Sequence, residues 1–205
     1  IIFDKEARSY RLFQLPKVNI RLIRQIYRLS FPIVAQAFVG LGSWFVFFGI
    51  VENLGERELA ITNLVRMVYL VLSIPCWGFS AGVNTLVSNF IGQRKRMAVI
   101  PIVWKTAKIS WFSTMLLTLP VILFPQQMLY PLLGSQDMSL IIDAQPIFYV
   151  LAGILTVFSI GAIYFNGLVG TGATYEGLKL QTWCTAGYLL YIYIVVNFTT
   201  GGLVW

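Results

Sequence analysis

Arg66 stands out chemically in this chain, because it lies within a long apolar segment about two turns from the acids Glu52, Glu56 and Glu58. A lone charge near the centre of a bilayer costs ~2.5–3.5 kcal/mol even on insertion scales, so such a residue needs a compensating role. Two roles fit. One is structural, a salt bridge with Glu52 as the expected partner or snorkelling toward the interface. The other is a gate at the outer mouth that responds to a carboxylate. Gln36, Ser43, Asn84, Ser88 and Asn89 are uncharged polar residues in similarly apolar surroundings. They either hydrogen-bond between helices or line a substrate cavity. Phe47 belongs to an aromatic group with Trp44, Phe45 and Phe48 that could stack planar organic cations or anchor a helix at the interface. Asn166 fits a helix cap.

Other chemistries lack residues. No acid stands mid-segment, so a buried carboxylate for proton or sodium coupling is missing from this chain. Histidine is absent, which removes the usual general base and the commonest metal ligand. Cys76 and Cys184 have neither the spacing nor the companions of a zinc site or disulfide framework. The run Gly167-Leu168-Val169-Gly170-Thr171-Gly172 lacks the lysine of a phosphate loop. The reading is therefore not an enzyme, with no metal and no cofactor.

The elements that must position these residues follow from charge spacing. Segments 29–51, 67–91, 109–136, 144–175 and 180–205 contain no Asp, Glu, Lys or Arg. About 20 apolar residues in a helix cross the ~30 Å hydrocarbon core, so each is long enough to span. Hydrophobic residues are 58% of the chain and charged ones 11%, far from soluble proportions. The fold class is an all-α polytopic membrane protein.

The net charge of +7 follows topology. With a cytoplasmic N-terminus, every Lys and Arg except Arg57 and Arg66 falls on or near the inner side, as the positive-inside rule requires. No nucleic acid partner is implied. Residues 1–28 read as a cytoplasmic linker. Lys17, Arg21, Arg24 and Arg28 form a basic stripe opposite Val18, Leu22, Ile23, Ile26 and Tyr27, predicting an amphipathic helix along the inner surface against membrane lipids. Residues 29–205 form the helical bundle.

Within it, Pro32 is expected in the first turn of the first span and Gly55 in a short outer turn. The second span starts near Leu59 and must kink at Pro75. Beyond the kink, Gly78, Ala81, Gly82, Thr85, Ser88, Asn89 and Gly92 make a small, polar face, for close helix packing or for water. A third span covers about 100–124, with Pro120 near its outer end. An outer loop with Pro125, Pro131 and Gly134 follows. The fourth covers about 143–166, then an inner loop punctuated by Gly167, Gly170, Gly172 and Gly177, then a fifth over about 178–198. Gly201-Gly202 would turn into a sixth span of which only the start is present.

Three motifs carry a resemblance. Leu29-Ser30-Phe31-Pro32-Ile33 leads to a Leu54-Gly55 turn and Glu58-Leu59-Ala60; the second span ends Asn84-Thr85-Leu86-Val87-Ser88-Asn89-Phe90-Ile91-Gly92-Gln93; and Gly167 to Thr174 reads GLVGTGAT. Together they resemble one six-helix lobe of the multidrug and toxic compound extrusion (MATE) transporters, over about residues 21–205. The basic lead-in resembles the linker between the two lobes, which makes this the C-terminal lobe, truncated before its last helix: five complete transmembrane helices and the start of a sixth.

The resemblance implies a secondary active transporter that exports organic cations or drugs by alternating access, coupled to Na+ or H+. It also implies an N-terminal lobe of the same polypeptide as partner, a small organic substrate, and a multi-pass place in the cell inner (plasma) membrane. Some members carry mid-helix carboxylates in the first and fourth helices of this lobe; here those spans have none. The alternatives are a flippase of lipid-linked substrates and a non-transporting membrane interaction subunit.

Overall fold

The computed structural model describes residues 19–53, 55–128 and 138–198, the side chains at 138–141, 143 and 196–198 excepted. The described residues are helical, without a strand. Six long helices occur in order: α1 (Ile20–Glu52), α2 (Glu56–Leu72), α3 (Ile74–Gly92), α4 (Val99–Leu123), α5 (Met138–Gly170) and α6 (Thr174–Phe198). One 3-10 turn, Arg96–Ala98, precedes α4. The expectations for residues 1–18, for most of the loop before α5 and for the turn at Gly201-Gly202 lie outside the described residues.

α1 begins earlier than expected. Asn19 caps it, its side-chain oxygen accepting from the backbone N–H groups of Arg21 and Leu22. Residues 20–28 therefore continue directly into the first span and form no separate surface helix. At 33 residues the helix is ~50 Å long, well beyond the ~30 Å core. Pro32 consequently sits about three turns inside α1, not in its first turn.

The second expected span is two helices bent by 46°. Pro75 lacks an N–H for the carbonyl of Val71, and the chain breaks at Ser73, just before the proline. Buried Ser73 returns its hydroxyl to the Leu70 carbonyl at 3.1 Å. Proline thus ends up near the start of α3, where its missing donor matters least. Gly55, at φ 144°, opens α2 in a conformation that side chains rarely adopt.

α5 is the central element, packed on α2, α3, α4 and α6. Two apolar clusters lie along it. Toward its start, Ile61, Leu64, Val68 and Leu72 of α2 meet Ala144, Phe148, Leu151 and Leu155 of α5, both stripes recurring every three or four residues. Toward its end, Val83, Val87, Val103 and Ala107 of α3 and α4 surround Ile163. Buried small polar residues let α4 approach closely: Ser110 donates to the Ser159 carbonyl at 3.2 Å, with Thr114 and Thr118 in line. Where lipid is as apolar as leucine, such close packing supplies much of the association energy. Among the described residues α1 packs only on α6 and α2, leaving α1 and α6 as a pair beside the α2–α5 group.

The outward surface is apolar: Phe45 is 79% exposed, Trp183 77% and Val157 73%. Water would not tolerate this much exposed apolar surface; lipid or another bundle would. On length and composition α1, the stretch Arg96–Leu123 and the stretch Ala144–Gly170 can each cross a membrane, and the bent α2–α3 pair makes up to four. α6, the fifth expected span, has the length, but Gln181, Thr182, Tyr188, Tyr191 and Tyr193 dilute its apolar character.

Candidate functional site: a cavity between two helix pairs

A cavity of about 480 Å³ opens between α1 and α6 on one side and α2 and α5 on the other. Four-residue and three-residue spacings aim one face of each helix into it. α2 supplies Thr62, Val65, Arg66 and Tyr69; α1 supplies Ser43, Trp44, Phe47, Ile50 and Val51. α5 adds Ile147, Val150, Leu151, Ile154 and Phe158, and α6 adds Tyr188, Tyr191, Ile192 and Val195. Its floor is aromatic. Trp44 stacks on Phe48 at 5.7 Å between centroids, Tyr69 lies 6.5 Å from Trp44, and Phe158 meets Tyr69 edge-on at 5.9 Å.

Among the described residues, Arg66 is the one charged residue lining this cavity. Among the described residues no ion pair joins it to Glu52, so the expected salt bridge is corrected. The guanidinium lies 5.1 Å from the Phe48 ring centre and 6.0 Å from that of Trp44. The reason is reach: Phe48 and Trp44 are one and two turns along α1 from Glu52, level with Arg66. Rings at these distances attract the guanidinium through cation–π contact. Glu58 also turns elsewhere, its carboxylate folding against Gly55 at the start of α2. A second cation brought to the same rings would meet a repulsion of roughly 1–3 kcal/mol from Arg66, water on the open side favouring the lower figure. The aromatic group singled out in the sequence is thus already occupied by the protein's own cation.

Of the other candidates, only Ser43 and Phe47 line the cavity. Ser43 spends its hydroxyl on the Gly40 carbonyl of its own helix, at 2.7 Å. Gln36 and Ser88 are structural locks at the opposite end, where the basic residues cluster. Gln36 donates to the Thr174 carbonyl at 3.0 Å, tying α1 to the start of α6. Ser88 lies 2.9 Å from both the Asn84 and Gly170 carbonyls, and the second is an orphan acceptor at the end of α5. Asn84 gives its backbone to the same knot, and exposed Asn89 accepts from Gln93 at 3.1 Å. Asn166 bonds back to Ala162 within α5 and caps nothing.

The glycines expected in a loop belong to this knot. α5 runs to Gly170 and α6 starts at Thr174, so only a tight turn separates them, with Gly172 at φ 86°. A Cβ on Gly167 would fall 2.9 Å from Val103, on Gly170 2.7 Å from the Asn84 oxygen, and on Gly177 3.1 Å from Gln36. The small face of α3 behaves oppositely. Gly78, Gly82 and Gly92 have open space around them, and Ala81, Thr85, Ser88 and Asn89 are exposed. α3 packs through Cys76, Ser80, Val83 and Val87 instead.

Sequence reasoning missed Thr62, Tyr69 and the α6 tyrosines. Thr62 and Tyr69 were findable, since they stand four before and three after Arg66, on its own face. The α6 residues had no such signal, because no charge marks that helix beyond Lys179.

A bundle of apolar helices, one broken at a proline, around a cavity bearing a single charge is the architecture of a polytopic membrane carrier. The MatE family model matches residues 32–197, and the chain belongs to that family of transporters. No curated protein and no solved structure matches it.

Proposed function

We propose that this domain exports small organic cations by alternating access, driven by a Na+ or H+ gradient, as one lobe of a two-lobed transporter. Its basic end faces the cytoplasm and its place is the cell inner (plasma) membrane. The observation that carries the reading is the open face of α3. Gly78, Ala81, Gly82 and Thr85 present a small-residue face outward on a bundle whose exposed surface is otherwise largely apolar along its length. Thr85 already bonds the Ala81 carbonyl, so what remains is the bare backbone, which packs poorly against lipid but suits close approach of a second lobe or a water-filled substrate route. On this reading the route runs along α3, between lobes, with the N-terminal lobe of the same polypeptide as partner. We place the coupling site outside the cavity described here, where no described lining residue is a carboxylate.

The test is Gly82→Leu in an efflux-deficient bacterium loaded with a fluorescent organic cation. The open surroundings of Gly82 accept leucine without loss of folded protein, while a route along α3 is blocked and efflux falls at least tenfold. Full efflux from the variant would turn this face toward lipid and remove the support for the reading.

A further inference from the structure

We propose that the cavity between α1, α2, α5 and α6 is a binding site for an amphiphilic anion, a carboxylate or phosphate on an apolar chain. This holds whether or not organic cations pass along α3. Among the described residues, Arg66 alone brings charge to the lining, and no acidic side chain is part of it. Its guanidinium lies 5.1 Å from the Phe48 ring centre and 6.0 Å from that of Trp44, and a guanidinium's planar fork of N–H donors can grip a carboxylate or phosphate in two places.

A second polar group stands beside it. Thr62 is one turn away on the same face and only 7% exposed, and its hydroxyl has no partner among the described residues. Buried hydroxyls are normally bonded; the Thr62 oxygen is itself covered, so a rotation of its side chain would bring this spare donor to an oxygen anion in the cavity. The remaining wall is apolar: Ile147, Val150, Leu151 and Ile154 of α5 face Ile192 and Val195 of α6. The volume is within the range of about 300–1,000 Å³ usual for small-molecule sites. A wholly polar anion would leave these walls wasted. A cation would meet Arg66 with its preferred ring faces taken. Anionic head and apolar tail satisfy both halves.

The experiment is quenching of tryptophan fluorescence in the full-length protein in nonionic detergent. The probes are a brominated long-chain carboxylate, the matching alkyl phosphate and the matching quaternary ammonium. The two anions should quench saturably through Trp44, with at least tenfold higher affinity than the ammonium, and Trp44→Phe should remove that component. Arg66→Gln should weaken anion binding at least tenfold, and Arg66→Lys less. Ile154→Phe, which fills the cavity without touching charge, should weaken both anions and decides the matter if Arg66→Gln fails to fold. Equal quenching by the ammonium, or anion binding indifferent to Ile154→Phe, overturns the proposal. Displacement of the probe by phosphatidylglycerol but not phosphatidylcholine identifies the occupant as membrane lipid. Movement of the carboxylate into proteoliposomes, with no displacement by lipid, identifies it as cargo.

Discussion

The two ends of this bundle use polarity in opposite ways. At the basic end, Gln36, Ser88 and the glycines 167, 170 and 177 close the helices onto one another through carbonyl acceptors and near-contact backbones. Toward the acidic end, the same helices diverge around a cavity that keeps one arginine and one unpartnered threonine hydroxyl. An uncharged polar residue in a membrane helix is satisfied cheaply wherever a helix terminus offers free carbonyls, so it marks packing. A charge finds no such partner, so it marks space.

The sharpest way to break that contrast is to overfill the closed end. Gly170→Leu drives a side chain into the Asn84 backbone, which cannot retreat without unpacking α3 from α5. It should cost at least about 3 kcal/mol and abolish folded yield, read by size-exclusion chromatography and thermal unfolding in detergent. A wild-type melting curve would mean the knot is loose. The same leucine at Gly82, with nothing within 4 Å, should change stability by less than about 0.5 kcal/mol.

Next comes Ser88→Ala, which leaves the terminal Gly170 carbonyl without its donor. A loss of about 1–2 kcal/mol is expected, and exchange of the α5 terminal amides should quicken. Gln36→Leu should cost less, about 0.5–1.5 kcal/mol, since Thr174 lies at a helix start where its carbonyl keeps an intrahelical acceptor role. If Gln36→Leu instead proves the costlier, the α1–α6 tie, not the α3–α5 tie, holds that end shut. Smallest of all is Glu176→Gln. The Lys179–Glu176 pair is 51% and 61% exposed, and its removal should shift stability by under about 0.5 kcal/mol in a melting experiment.

Much of the fold was legible because charge-free length and proline placement are local properties. The third span was expected over 100–124 and α4 covers Val99–Leu123; the bend at Pro75 appears as a break at Ser73. What was not legible depended on neighbours. The glycine run 167–177 has loop composition, yet Gly167, Gly170 and Gly177 are helical because Val103, Asn84 and Gln36 stand where a side chain would go. Gln36 and Ser88 look like cavity lining until the helix ends they bind are in place. Arg66 was visible as the residue to explain, but its partners were misjudged. Acids nearby in sequence drew the eye, while the rings that hold it lie level with it on another helix. The α6 contribution to the cavity showed in the sequence only as a run of tyrosines, with no charge to single them out.

The central claim is transport by this family member, and reconstitution addresses it most directly. The full-length protein would be placed in proteoliposomes and the movement of a fluorescent organic cation followed with a Na+ gradient, a H+ gradient or neither imposed. The account predicts uphill accumulation under one gradient and only slow leak without it. Folded, membrane-inserted protein that moves the cation under neither gradient would contradict it.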